Sequence, residues 1–384
     1  MKILHILSTI NLESGGPVRG VLDLSQVFAE QGHSITIASC DSHMPPFLQE
    51  YRCQFVLLGP AYLKYSFSVK LFLWLKHNIN NYDVVIINGL WQYFSVTSCF
   101  WAMKRNIPFF VFSHGMLDPW FKRKYPFKHI KKLIYWLIFE HRVVNNAFNT
   151  IFTCEEEKVL ARKSFPLYNP RESVCSYGVK SAPKNVNTLR EEFFLKFPHL
   201  LDKKIILFMG RIHEKKGCDL LLDAFAKISQ KDSGLHLVIA GPNQSSYALN
   251  LILKAKNVNI EAKVTFTGML DGAMKWGAYY SAEIFCLPSH QENFGIVVAE
   301  ALSCSRPVLI SNKVNIWPKI VEMNAGFVAD DTAYGTIALL ESWLSIDEKE
   351  RAKMRLNARK CFEDQFSVEN AAKSMLSILN AVRA

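Results

Sequence analysis

Short runs rich in Val, Ile, Leu and Phe alternate with helical periods along almost the whole chain, and this alternation restricts the fold more than any other feature. A strand that runs parallel to its predecessor needs a long crossover, usually a helix, so repeated strand–helix units build parallel sheets. Strands are expected at Ile3–Thr9, Ser34–Ser39, Asp83–Asn88, Phe109–Ser113, Thr150–Thr153 and Ser173–Ser176. A second set is expected at Lys204–Met209, Leu235–Ala240, Val264–Thr267, Glu283–Pro288 and Pro307–Ser311. Helical periods fill most gaps: after Gly217, residues Leu220, Leu221, Ala224, Phe225 and Ile228 follow the i, i+3, i+4 rule.

The alternation breaks at "YGVKSAPKNVNTLREEFF", Tyr177–Phe194, a polar stretch with Pro183 and no strand pattern until Lys204. A linker is expected there, dividing 384 residues into two α/β units of similar size that face each other across a cleft. Two helical patterns close the chain, Asp347–Asp364 and Val368–Val382, with Ser367 as a cap for the second. A helix beyond the last strand has the length to cross back to the first unit.

Composition removes several classes. With 49% apolar and 21% charged residues the chain is neither disordered nor collagen-like. The 20 uncharged residues between Asp83 and Lys104 have the length of a membrane span, but Asn88, Gly89 and Gln92 interrupt them and they parse as strand then helix. The nine cysteines are scattered and contain no C-x-x-C, which fits neither a disulfide framework nor a zinc site. Cys40, Cys99, Cys175 and Cys286 lie in apolar runs, as buried thiols of a reducing, cytoplasmic compartment would.

The net charge of +11 is uneven, with 20 Lys and Arg against 12 Asp and Glu in residues 1–180 and 25 against 22 in the remainder. Much of the excess lies in "WFKRKYPFKHIKKLIYW", Trp120–Trp136. Basic residues mixed with aromatics suit an anionic membrane surface, here over residues 120–142. An ordinary helix whose apolar segment Leu133–Phe139 packs into the core has the same pattern, and nucleic acid is the least favoured partner.

Open parallel sheets bind ligands beyond the carboxyl ends of their strands, so the polar residues just after each strand are the candidates. "SGGPVRG" puts Gly15 and Gly16 at a strand-to-helix turn, where bare backbone can approach a phosphate, though the spacing is not G-x-G-x-x-G. With Asp41 after the second strand this also mimics a dinucleotide site. "HGMLDPW" places His114 directly after a strand. "GRIHEKKG" supplies Arg211, Lys215 and Lys216, a planar fork and point charges for phosphate oxygens, or simply a solvated basic loop.

"SHQENFGIVVAE" is the most specific stretch. Glu292 falls in the loop after a buried strand, Asn293, Phe294 and Gly295 lead into a helix, and Glu300 lies about a turn and a half inside it. Two carboxylates accept from hydroxyls and the amides near Phe294 and Gly295 can take an anion, a set that suits a ligand with both hydroxyls and phosphates. No D-x-D, H-E-x-x-H or Cys/His cluster occurs, so no tightly held metal is expected. A G-x-S-x-G elbow is also missing.

Together, "GGP", "SHGMLDPW", "GRIHEKKG" and "SHQENFGIVVAEALSCSRPV" closely resemble the family 4 retaining glycosyltransferases of the GT-B fold, most strongly over about residues 205–330. The resemblance implies an α/β protein of two Rossmann-like, doubly wound parallel-sheet domains: an acceptor domain at 1–180, a nucleotide-sugar domain at 181–365, and a C-terminal helix at 366–384 packing back on the first. It implies that Glu292 and His114 act on the transferred sugar, and that Glu300 holds the ribose hydroxyls. Arg211 and Lys216 would hold the diphosphate with backbone at Asn293, Phe294 and Gly295, Gly15 and Gly16 would lie near phosphates or acceptor, and Gly268 and Met269 would hold the base. Two positions depart from the pattern: Ser305 where the family usually has Gly, and Tyr177 in place of the Asn of a frequent Asn-Gly-Val.

The implied activity is transfer of a hexose from a GDP- or UDP-sugar to a saccharide acceptor, lipid-linked, in surface or exopolysaccharide biosynthesis. It needs no cofactor beyond the nucleotide-sugar substrate and would take place in the cytoplasm, peripherally at the inner membrane face. Another enzyme on the same fold, a nucleotide-sugar epimerase or sugar-phosphate synthase, and a non-catalytic nucleotide-sugar-binding protein are the alternatives.

Overall fold

The computed structural model of the chain describes every residue except 13–14, 64, 121, 123–125 and 383–384. The chain divides into two compact units, Met1–Val179 with Val368–Ala384, and Lys180–Ser367.

The first unit holds a seven-stranded, wholly parallel sheet: β1 (Lys2–Leu7), β2 (Ser34–Ser39), β3 (Gln54–Leu57), β4 (Val84–Asn88), β5 (Phe109–Phe112), β6 (Asn149–Phe152) and β7 (Glu172–Val174). Their spatial order is β3-β2-β1-β4-β5-β6-β7. The central strands are continuous apolar runs because helices cover both faces: in β4 all five residues are buried. The 20 uncharged residues are divided between β4 and the helix Tyr93–Lys104. Among the described residues no helix is long and apolar enough to cross a membrane.

The second unit holds six parallel strands: β8 (Lys204–Met209), β9 (Leu235–Ala240), β10 (Val264–Gly268), β11 (Ile284–Leu287), β12 (Val308–Ser311) and β13 (Gly326–Ala329), in the order β10-β9-β8-β11-β12-β13. Each sheet therefore has a switch point, between β1 and β4 in one and between β8 and β11 in the other, where consecutive crossovers leave in opposite directions. The loops beyond these four strands are where such a fold offers a ligand crevice.

Two strands went unread in the sequence, β3 and β13. Both are four-residue edge strands with only three apolar residues each, too short a run for its period to tell strand from helix. The polar stretch expected as linker is helical over Val186–Lys196, which buries Leu189 and Phe193 against the helix Gly272–Ser281. Its charged outer face hid the period. At the C-terminus, Glu348–Cys361 passes through a π turn, Phe362–Phe366, into the helix Val368–Asn380. Ser367 donates its hydroxyl back to the Glu363 carbonyl. The last helix packs on Gly16–Glu30, and its Val368 amide donates to the Val179 carbonyl at 3.1 Å.

The basic–aromatic segment lies mostly in the helix Pro126–Tyr135 and the π turn Trp136–Glu140, while Phe121, Arg123, Lys124 and Tyr125 fall outside the described residues. Of the apolar segment Leu133–Phe139 only Trp136 is buried; Ile134, Leu137, Ile138 and Phe139 are exposed. All nine cysteines are free thiols, seven of them buried.

Candidate functional site

The second unit carries the two acids. Beyond β8, Arg211 is exposed and Ile212 buried, and the His213 ring accepts the Lys215 amide to cap a short turn, Glu214–Lys216. Gly217 ends that turn with φ +65°, and a Cβ there would lie 2.1 Å from the Pro288 carbonyl oxygen, so only glycine lets the loop pass the end of β11. The His290 amide donates to the Lys215 carbonyl at 2.8 Å, which ties the loops after β8 and β11 together.

Glu292 is fixed by its backbone. Its amide donates to the Lys313 carbonyl at 2.9 Å and its carbonyl accepts from Asn315 at 3.0 Å, so the segment after β12 holds it in place. Its carboxylate pairs with the Lys216 ammonium, both side chains being mostly buried. Asn293 Oδ1 accepts from the Asn315 side chain at 3.5 Å, and Phe294 is buried edge-on against Phe366. Gly295, left-handed at φ 73°, starts the helix Ile296–Ser303.

Glu300 lies on the inner face of that helix. Lys275 reaches its Oε1 at 2.7 Å and the Tyr279 hydroxyl lies 3.1 Å from Oε2. Burial, with the Glu300 carboxylate beside it, pushes the Tyr279 phenol well above its usual range, so it stays a donor. Lys275 also stands over the Trp276 ring, 4.3 Å from its centroid. Neither Lys275 nor Tyr279 was expected from sequence. The available signal was a Lys-Trp pair on the helix that follows Gly268 and Met269. Gly268 ends β10 with its carbonyl accepting from Gly241, and Met269 is exposed beside it.

The first unit carries the remaining candidates. Gly15, at φ 106°, precedes the helix Gly16–Glu30, whose first residue is Gly16. Asp41 spends its carboxylate locally, accepting from the Thr9 hydroxyl and the Ile10 amide at 2.7 Å each, which holds the loop after β1. That use explains the acid without a dinucleotide ribose.

His114 follows β5 with φ 52°, a left-handed conformation unusual for a residue with a Cβ. Glu157 sustains this turn. Its Oε1 accepts from the Ser113 hydroxyl at 2.5 Å and the Gly115 amide at 2.7 Å, and its Oε2 from the Thr153 amide and hydroxyl at 2.8 and 2.6 Å. Glu157 sits in "CEEEK", where the sequence gives no sign which acid turns inward. Burial, with His5 nearby, holds the His114 imidazole well below the usual range, at about 3, so it is neutral at physiological pH.

Ser305, where the family pattern has Gly, follows the helix Ile296–Ser303 in a left-handed conformation, φ 58°. The backbone there is the one a glycine adopts without strain, and here a serine adopts it.

A family model described as glycosyl transferases group 1 matches residues 190–361, and one described as Glycosyltransferase Family 4 matches residues 14–179. An uncharacterized glycosyltransferase of Methanocaldococcus jannaschii is 31% identical over 183 residues. The match takes in 46% of this chain and 45% of that relative, so the chain spans about half the length of the curated relative it matches. Among solved structures, a glycosyltransferase from Rickettsia africae is similar with a TM-score of 0.79 at 18% identity, over 100% of this chain and 98% of that one. HepE of Anabaena, solved with UDP and glucose, is similar with a TM-score of 0.76 at 15% identity, over 99% and 100%. At such identities the likeness establishes the fold.

Proposed function

The chain belongs to the family 4 glycosyltransferases of the GT-B fold, and from that membership we propose that it moves a hexose from a UDP- or GDP-sugar to a lipid-linked saccharide acceptor, with retention at the anomeric carbon. The observation that carries this reading is the Glu292–Lys216 pair at the switch point of the second sheet. A carboxylate in contact with an ammonium suits a ligand whose sugar hydroxyls and phosphates adjoin.

In this reading Glu292 accepts from hydroxyls of the transferred hexose, and Lys216 with Arg211 receives the charge that builds on the departing diphosphate. Cationic side chains at that point do what a metal does in other transferases. Glu300, held by Lys275 and Tyr279, takes the ribose hydroxyls, and backbone at Gly268 and Met269 takes the base. The amides from Asn293 to Gly295 face phosphate. In the first unit, His114 acts on the transferred hexose, and Gly15 and Gly16 lie near the phosphates or the acceptor. The bound UDP in the Anabaena protein makes uridine donors the first to test.

The lipid-linked acceptor draws support from the helix Pro126–Tyr135. Phe127, Ile130 and Ile134, continued by Leu137 and Ile138, form an exposed apolar stripe, with exposed Lys128 and Lys131 on the same helix. Such a helix can lie in an anionic membrane surface.

Screening UDP-, GDP- and ADP-sugars by thermal shift tests the donor, since a ligand that binds only the native state raises its melting temperature. Product analysis with a labelled donor then tests the reaction. Transfer to an acceptor with an unchanged anomeric configuration is expected. Conversion without an acceptor would identify an epimerase, and binding without hydrolysis or transfer would identify a non-catalytic binder.

A further inference from the structure

His114 is held by a polar chain whose direction can be worked out from its far end. The Asn88 side-chain amide has its Nδ2 3.0 Å from the Ile86 carbonyl and 3.4 Å from the Ile6 carbonyl. Carbonyls only accept, so the amide nitrogen belongs on that side and Oδ1 faces His114. Oδ1 lies 3.4 Å from His114 Nε2. An oxygen that can only accept requires the hydrogen on Nε2. In a neutral imidazole Nδ1 is then the acceptor, and the Tyr177 hydroxyl, 2.6 Å away, is its donor.

The packing keeps this arrangement in one orientation. The Tyr177 ring is parallel to the imidazole within 10°, and Phe112 stacks on the imidazole with centroids 4.4 Å apart. Gly20 makes room for the phenol, because a Cβ there would lie 2.8 Å from Tyr177 Cδ1. Tyr177 is 5% exposed and His114 8%, so water does not compete strongly for either. The Nε2 contact with Asn88 is long for a hydrogen bond, whereas the Nδ1 contact with Tyr177 is short.

We infer that Tyr177 is a positioning residue for His114: its hydroxyl fixes the imidazole as the Nε2–H tautomer, so that His114 meets a sugar oxygen as a hydrogen-bond donor and not as a base. The inference rests on the family 4 reading for the substrate, and assigns a role to the tyrosine that replaces the family's frequent asparagine. Because the Asn88 contact is long, the Nε2–H can be shared with a substrate oxygen without movement of the ring.

Long-range proton–nitrogen NMR of protein labelled with 15N-histidine tests it, with the His114→Ala spectrum assigning the signals. The wild type is expected to show His114 as the Nε2–H tautomer at neutral pH, and Tyr177→Phe to shift it towards a mixture with Nδ1–H. In the transfer assay Tyr177→Phe is expected to lower kcat roughly tenfold, about the value of one hydrogen bond in a buried site, with donor KM little changed. The same change in a His114→Ala background is expected to have no further effect. An Nδ1–H tautomer in the wild type overturns the inference whether or not the variant folds, and so does an unaltered Nε2–H tautomer in folded Tyr177→Phe. The spectra need no substrate, so they decide the Tyr177–His114 relation even if the transfer assay rejects the family reading for this chain.

Discussion

The Lys275 ammonium lies 2.7 Å from Glu300 Oε1, joining two helices that the sequence separates by all of β11 and the loop beyond it. Each acid of "SHQENFGIVVAE" thus has a lysine from a different part of the chain, Lys216 for Glu292 and Lys275 for Glu300. Among the described residues, Lys275→Ala leaves the mostly buried Glu300 carboxylate with the Tyr279 hydroxyl alone. A loss of about 1–2 kcal/mol of folding stability is expected in urea denaturation. An unchanged midpoint and slope would show the pair to be screened by solvent.

Arg211→Ala and Lys216→Ala are each expected to lower turnover by an amount equivalent to about 2–4 kcal/mol in the transition state. Arg211 is exposed, so its variant should fold normally and gives the cleaner reading. Lys216→Ala also strips Glu292 of its partner, so its melting temperature must be measured alongside. Near-normal turnover in both folded variants would sink the diphosphate assignment.

Glu157 faces donors at both oxygens, two of them backbone amides at Gly115 and Thr153 that cannot reverse direction. Glu157→Gln must turn an NH2 towards one of them. The expected loss is about 2–3 kcal/mol of stability, measured by chemical denaturation. Turnover should fall with it, because the same contacts hold the His114 turn.

Ser305 holds a left-handed backbone that costs about 1 kcal/mol for a residue with a Cβ. Ser305→Gly is expected to raise stability by about that amount and Ser305→Ala to leave it nearly unchanged. Equal effects from the two variants would trace the change to the hydroxyl and not to the backbone.

Glu140 is fully buried, and burial raises its carboxyl to about 7 against the pull of the Trp91 amide, the Ser95 hydroxyl and Lys132. The folded state therefore keeps a proton that the unfolded chain releases near 4.5. Its contribution is fully present below pH 4.5 and is lost as pH rises to about 7, with stability falling by about 1.4 kcal/mol per pH unit within that window. Glu140→Gln is expected to remove this slope, so its melting temperature should gain on the wild type between pH 5 and 8. A constant difference across that range would count against the buried proton.

Much of the fold could be read from the chain because its signals are local. Central strands such as β4 are buried on both faces and must be continuous apolar runs, whereas the edge strands β3 and β13 have only three apolar residues each and escaped notice. The candidate residues could be listed because parallel sheets present ligands to the residues just beyond their strands. What each residue touches could not be read in the same way. Glu157 and its neighbours Glu155 and Glu156 are alike in sequence, and only packing turns Glu157 inward to Ser113 and Gly115.

Local sequence is enough for two parallel-sheet units, the candidate loops beyond their strands and the eight-position interval between the two acids. The tertiary structure decided that Lys216 and Lys275 neutralise those acids, that Tyr177 faces His114, and that the last helix belongs with the first unit. Periodicity and turn chemistry act over a few residues and are written in the local sequence. Charge pairing and tautomer choice depend on which distant side chains share a buried space, and that is set only when the sheets and helices have packed.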